Sequence, residues 1–493
     1  MARYDDIVVG SGMGGLTAAL LLGMNRHKVL LLEKAPRIGG CMQCFKRQGV
    51  SFDVGFHFTA GLTASGLLDQ AFRLLGVRDA ISPEFTHSKS ASRLVFESEN
   101  RVFDLPVGED IFRAECKKYF PAEAGAVDRY FEMAHHVCDS SPGMSFDKLE
   151  TFGHSLDEDF VSLRTVLDGL SDNIQFKTVL SAYGICYGVS PSQISFANHA
   201  RVTLGLHESL ARVARGGEAI IEAFREQLER VDVEIRCNTH IAELADISQK
   251  RAGRFVLNTG EELEAERCIL TVHPAEIMKL LPEQSVSKAF ANRVNAYEPS
   301  IGFFTVYACS QPNADLSLDG AMVELICTDD DIEQSFNPAS SKRPLMLLHH
   351  PAGGQQVMNV SEISFWEDVA AWKDSRTGHR SSEYNDYKMK KTDEIRTRIL
   401  KRYPDCRDSL KILDSASMLT YRDYMSTPYG AVYGVKQKIG QFNLVGALPI
   451  RNLYAAGQSA GLPGILGVIM TSVMVVRGIV GPDHFSALIE ERL

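Results

Sequence analysis

Asp6-Ile7-Val8-Val9-Gly10-Ser11-Gly12-Met13-Gly14-Gly15-Leu16-Thr17-Ala18-Ala19-Leu20-Leu21-Leu22-Gly23 is the stretch that decides the fold. A short apolar strand runs into G-x-G-x-x-G at Gly10, Gly12 and Gly15, and a helix of small and apolar residues follows. Each glycine has a mechanical reason. The first permits a tight turn, the second lets backbone approach a pyrophosphate, and the third lets helix pack close to strand. The helix N-terminus, opened by Met13 and Gly14, offers free N–H groups and a positive dipole end to phosphates. A second strand, Lys28 to Leu32, ends at Glu33. That carboxylate stands about twenty residues past the glycines, where it can bind ribose hydroxyls and repel a 2′-phosphate.

The residues beyond Glu33 extend the pattern. Lys34-Ala-Pro-Arg37-Ile-Gly39-Gly40-Cys41 supplies a second glycine pair, and Phe52-Asp53-Val-Gly55-Phe56-His57-Phe58 follows. A second pair just past the acid suits a long cofactor wrapped from two sides. The E-x-x-x-R-x-G-G stretch resembles the glutathione-reductase-like FAD proteins of the amine-oxidase type. The continuation G-G-C-x-x-x-F…G-x-x-F-D-x-G-x-H is similar to the phytoene desaturase, carotenoid isomerase and retinol saturase group, with His57 on the retinol saturase side.

The resemblance implies FAD as cofactor, contacted by Gly10, Gly12, Met13, Gly14, Gly15, Glu33, Lys34, Arg37, Gly39, Gly40 and Cys41. It extends to two further segments. Arg215-Gly216-Gly217 opens a helical run, and Val233 to Ile241 reads as a strand whose last apolar residue, Ile241, matches the adenine contact of the family. Near the C-terminus, Asn452 to Gly457 reads as a strand reaching a glycine, and Pro463-Gly464-Ile465-Leu466-Gly467 starts another helix. In the family this element ends on the flavin. Gly457, Gln458, Gly464, Ile465 and Leu466 are its matching positions, with Gln458 where an acid is more usual. A positive helix end there would favour the anionic reduced ring.

The implied fold class is α/β: a discontinuous Rossmann-like FAD-binding domain (1–80, 208–297, 414–493) with an inserted α+β substrate domain (81–207, 298–413). The first insert reads as mainly helical, with helical spacing from Leu163 to Tyr187. The second mixes strand-like runs, Ser300 to Tyr307 and Leu345 to His349, with a charged helix over Asn385 to Lys401 that reads as a solvated face. Arg254 to Leu257 and Glu261 to Thr271 form a hairpin pattern about Thr259-Gly260.

Composition bounds the function. The chain has 493 residues, enough for more than one core. Its 52 basic against 62 acidic groups give a net charge of −10, which argues against nucleic-acid binding. Of ten cysteines only Cys41 and Cys44 are close, so no zinc site is expected, and a metal pair at His199 and His207 would want closer spacing. No leader pattern precedes the first strand. The apolar run Leu462 to Val476 is short of a membrane span and broken by Gly464 and Gly467, so it reads as a buried helix. The expected location is cytoplasmic, with peripheral membrane contact.

A flavin performs hydride chemistry with few obligatory side chains. The catalytic candidates are His57 and two tyrosines of an aromatic, glycine-rich loop, Tyr429 and Tyr433. Gly457-Gln-Ser459-Ala-Gly461 also has the form of a hydrolase nucleophile elbow, but the flavin pattern already uses those residues. No second G-x-G-x-x-G occurs, so electrons would pass between flavin and substrate and an external donor or acceptor. The resemblance implies an apolar small-molecule or lipid substrate (carotenoid, retinoid or other isoprenoid), whose carbon–carbon bonds are saturated or desaturated, and an apolar tunnel reaching the flavin. The alternatives are a cis–trans isomerase, an oxidoreductase of unsaturated fatty acyl chains, a flavin-free prenyl carrier and an amine oxidase.

Overall fold

The computed structural model describes all residues except 87–88, 147–148, 150–154 and 312–320. Two large sheets organise the chain. The first has a parallel core: Glu234–Arg236, Val29–Leu32, Ala2–Val9, Glu262–Leu270 and Leu453–Ala455 lie side by side. Strands buried on both faces read as continuous apolar runs. Val29–Leu32 is buried at every position, and Ile7 to Val9 likewise. Helix Met13–Met24 covers one face and packs against helix Ile465–Val480.

The sequence-predicted hairpin is present. Arg254–Leu257 and Glu262–Leu270 pair antiparallel, and Gly260 takes a φ of +83° at the turn. The run Val233 to Ile241 is not one strand. Glu234–Arg236 ends at an Asn238 with a φ of +54°, and Ile241 begins a new strand, Ile241–Ala245, antiparallel to Arg254–Leu257. The amide of Asn238 bonds to Ala35, and that of Thr239 to Glu33. Local bonding to the end of the Val29–Leu32 strand overrides the β-pattern and bends the chain.

The second sheet runs Lys411–Ala416, Gly302–Ser310, Gln355–Ser364, Leu345–Ala352, Val323–Cys327, Ser92–Phe96 and Arg101–Leu105. All neighbours are antiparallel except Val323–Cys327 with Ser92–Phe96. One face is covered by helix Ser382–Arg402. This charged helix is not solvated all round, because Tyr384, Ile395, Ile399 and Leu400 are buried. The other face joins the helices Ala124–Ser140 and Phe196–Glu208 in an aromatic-rich core. Leu163 to Tyr187 breaks into Leu163–Leu170, Ile174–Ser181 and a last 3-10 turn, because Ser162 and Asn173 each cap a fresh helix with their side chains. Among the described residues no helix is long and apolar enough to cross a membrane, and helix Ile465–Val480 lies largely buried.

Candidate functional site

The first strand ends at Gly10, whose φ of +95° belongs to the left-handed region. A side-chain carbon on Gly15 would lie 1.7 Å from the Gly10 carbonyl oxygen, so only glycine lets the helix start there. On Gly14 it would meet the Gly457 Cα at 2.9 Å, so the two glycine elements touch. The Ser472 hydroxyl donates to the Gly14 carbonyl at 2.9 Å and ties the two helices together. Gly12 differs from these. A carbon added to it would meet nothing within 4 Å, and the same holds for Gly464, the residue before helix Ile465–Val480. Packed glycines serve the fold. Open glycines beside two helix N-termini leave room and positive dipole ends for phosphates or a polar ring edge.

The second pair sits on the first. A carbon on Gly40 would lie 3.1 Å from the Gly12 Cα, and Gly39 donates its amide to the Ser11 carbonyl at 3.0 Å. Glu33 is engaged by the same turn: its Oε2 accepts from the Ser11 amide at 2.9 Å, and its Oε1 from the Ala35 amide at 2.7 Å. A carboxylate carries about four acceptor positions, so capacity remains for hydroxyls. Met13 is buried in the helix start, and Lys34 and Arg37 are exposed at the mouth. Ile241 is buried among apolar side chains, paired with Leu257. The residues bonded to the Glu33 corner are Asn238 and Thr239 instead.

Cys41 and Cys44 are free thiols. Burial pushes the Cys41 thiol up to about 11. Burial first, and the Asp53 carboxylate second, push Cys44 up to about 12. Neither thiol forms a thiolate readily at neutral pH.

Gln458 and the tyrosine loop meet. The Gln458 amide nitrogen donates to the Val432 carbonyl at 2.9 Å, leaving its oxygen free for another partner. A carbon on Gly434 would lie 2.5 Å from Ser459 Oγ, so Ser459 is packed against this loop and not presented as a nucleophile. Tyr433 is half-buried beside Phe303, with ring centroids 6.4 Å apart, and desolvation raises its phenol well above the ordinary value. Tyr429 does not join it. It is 49% exposed, with a φ of +59°, and lies edge-on to Trp366. Behind Tyr433 an aromatic layer continues through Tyr421, Tyr307, Phe45 and Phe52 (centroids 4.8 Å for Phe45–Tyr307 and 5.3 Å for Phe52–Tyr307).

His57 is half-buried, and the loss of solvent around its ring lowers its pKa, so the ring stays neutral. Its Nδ1 lies 3.3 Å from the Asn359 side-chain nitrogen. A small cleft, with room for about one water, opens here beside Asp53, Arg212, His349 and Asn359. Its lining mixes these polar side chains with Met322 and Leu348, and its size sets it apart from the apolar tunnel that the sequence implies. Arg212, His349 and Asn359 escaped the sequence reading, since they belong to three separate strands and no motif joins them. Among the described residues no cluster of metal-ligating groups occurs.

Residues 8–73 match the family model for an NAD(P)-binding Rossmann-like domain. Over 94% of its length the chain is 24% identical to the all-trans-retinol 13,14-reductase of Danio rerio, of which it covers 84%. It is also 24% identical to the chloroplastic prolycopene isomerase of Daucus carota, over 96% of this chain and 79% of that protein. The chain thus resembles the retinol saturase and carotenoid isomerase group. In fold it resembles an oxidoreductase from Methanosarcina mazei (TM-score 0.66, 13% identity, 96% of this chain and all of that one).

Proposed function

We propose that the chain is an FAD-dependent oxidoreductase that saturates or desaturates carbon–carbon bonds of a polyene of the retinoid and carotenoid class. The observation that carries the reading is the meeting of two glycine elements. Gly12 and Gly464 are open at two helix N-termini, while Gly14 and Gly457 are in contact between them. That arrangement fits one elongated dinucleotide better than two separate ligands, and the similarity to polyene enzymes supplies the substrate class.

When bound, FAD supplies hydride exchange with the substrate carbon. The chain's own residues bind, orient and enclose. Residues Gly10 to Gly15 with Gly39 and Gly40 would hold the pyrophosphate, Glu33 the ribose, and Gly457 to Leu466 the ring edge. The aromatic layer from Tyr433 to Phe52 would exclude water and lie along a flat polyene. Tyr433, half-buried and protonated, would hold a proton for the reaction. Residues 1–80, 208–297 and 414–493 would carry the cofactor, and the second sheet the substrate. Electrons would enter or leave through an external partner. Exposed Tyr424 and Tyr429, with Trp366 behind, give a surface that could meet a lipid layer from which the substrate is drawn.

The visible spectrum of the purified protein, before and after anaerobic dithionite, tests the cofactor. Flavin bands that bleach support the reading, and a colourless protein that takes up no FAD overturns it. Incubation with polyenes followed by mass analysis tests the reaction: a shift of two hydrogens is expected, and an unchanged mass with altered geometry indicates isomerisation.

A further inference from the structure

Gln458 stands where the glycine elements meet the loop that carries Tyr433. It follows Gly457, which turns with a φ of +91° and lies against Gly14. The loop is tied to the start of strand Gly302–Ser310. The Val432 amide donates to the Ile301 carbonyl at 3.1 Å, the Tyr433 amide to the Ser300 hydroxyl at 3.0 Å, and the Ser300 amide to the Gly434 carbonyl at 2.9 Å. A carbon added to Gly434 would lie 2.5 Å from Ser459 Oγ and 3.6 Å from Gln458 Nε2, so the loop also presses on the Gly457 element. The Tyr433 ring fills the space where a side chain on Gly188 would stand, 2.6 Å from its Cδ2.

The Val432 carbonyl receives the Gln458 side-chain nitrogen at 2.9 Å. A carbonyl only accepts, so chemistry orients the amide: its nitrogen faces Val432, and its oxygen, an acceptor alone, faces away. The side chain is half-buried, which leaves that oxygen approachable. A primary amide offers a donor and an acceptor at opposite ends of one uncharged planar group. Glutamate would set a carboxylate oxygen against the Val432 carbonyl at neutral pH, and leucine would offer neither function. An amide bonded at one end can still pivot, whereas one bonded at both ends is fixed.

We propose that Gln458 is a positioning residue that couples cofactor binding to Tyr433: its oxygen accepts a hydroxyl of the bound dinucleotide while its nitrogen holds the Val432 carbonyl. Loading the glycine turn then fixes the segment from Val432 to Gly434. The inference rests on the FAD reading above. The loop has one anchor on the substrate side, at Ser300 and Ile301, and a second on the cofactor side, at Gln458, which the ligand completes.

Hydrogen exchange of residues 430–435, followed by mass spectrometry in the full chain, tests the coupling. In the parent, FAD added to apoprotein should slow exchange of this segment by about threefold or more. Gln458→Leu should exchange faster than the parent and gain little from FAD. Gln458→Glu separates a strut from a space-filling side chain. At pH 8 its carboxylate cannot donate, and the segment should exchange roughly tenfold faster than in the parent at the same pH. A carboxyl facing a carbonyl titrates above its ordinary value of about 4.3, so near pH 5 the neutral acid donates to Val432 again and the difference should shrink to about twofold. A Gln458→Glu protein that matches the parent at pH 8, or differs from it equally at both pH values, would overturn the strut. FAD that binds the parent, seen in the flavin spectrum, without slowing the segment would overturn the coupling and leave the FAD reading standing. That comparison needs no variant to fold. A parent that takes up no FAD would end the coupling and the FAD reading together.

Discussion

Ser11 and Glu33, 22 positions apart, are joined twice: Glu33 Oε2 accepts the Ser11 amide at 2.9 Å and the Ser11 hydroxyl at 2.5 Å. The carboxylate is thus a brace of the glycine turn as well as a candidate ribose ligand, and substitution separates the roles. Ser11→Ala keeps the carboxylate and loses the hydroxyl's bond to Glu33 and its weaker one from the Gly39 amide, so stability should fall by about 1 kcal/mol with FAD retained. Glu33→Ala leaves two backbone amides unpaired, and should cost about 1–3 kcal/mol and weaken FAD binding besides. Thermal melts and flavin content check both. Equal FAD loss in the two variants would make Glu33 a brace alone.

Gly12 and Gly15 stand three residues apart and should respond oppositely to a methyl group. Gly12→Ala places its carbon in open space at an ordinary φ of −65°, so the apoprotein should stay within about 1 kcal/mol of the parent. The same methyl would occupy the pyrophosphate approach, so FAD affinity should drop at least tenfold. Gly15→Ala collides with the Gly10 carbonyl and should unfold the turn itself. Titration of apoprotein with FAD, beside urea unfolding, distinguishes them. A Gly12→Ala protein with unchanged FAD affinity would move the pyrophosphate away from this turn.

The glycine turn was legible because its requirements are local: positive φ, close approach and an acid at fixed spacing all lie within one short stretch. The Gly457 to Leu466 element was legible for the same reason. The run from Val233 to Ile241 was read as one strand because a β-pattern continuous in sequence hides a break made at Asn238, in the left-handed region. The charged helix concealed its buried side because Tyr384, Ile395 and Ile399 are few among many lysines and acids. The cleft was invisible. Asp53, Arg212, His349 and Asn359 meet only when the second sheet docks on the glycine-bearing elements, and no spacing rule encodes that.

The two tyrosines of the Tyr429 to Tyr433 loop should no longer behave alike. Tyr433→Phe removes the hydroxyl and keeps the ring, so kcat should fall roughly tenfold or more if that phenol holds the reaction proton. Tyr429→Phe alters an exposed ring against Trp366, and kcat should stay within about twofold. Steady-state kinetics on one polyene decides. Equal kcat in parent and Tyr433→Phe would reduce Tyr433 to a wall residue.

Acid should destabilise the protein through two histidines of helix Phe196–Glu208. Burial lowers both His199 and His207 to about 3 from an ordinary 6.5. A folded-state pKa below the unfolded one gives stability that is present above about pH 6.5 and lost as pH falls towards 3, at up to about 1.4 kcal/mol per pH unit per group. The two differ in what holds them. His199 lies between the hydroxyls of Tyr130 and Tyr187, at 2.7 and 2.9 Å. His207 is packed among Phe112, Phe131 and Tyr183, with neither ring nitrogen bonded. His207→Leu therefore removes an unpaired polar group at nearly constant volume. It should gain about 1–2 kcal/mol at pH 8 and flatten the acid limb by one proton. Urea unfolding from pH 8 to pH 4 measures both effects. An acid limb of unchanged slope would mean that His207 acquires a partner or solvent in solution, whereas a flattened limb with no gain at pH 8 would mean that the leucine packs poorly against Phe112.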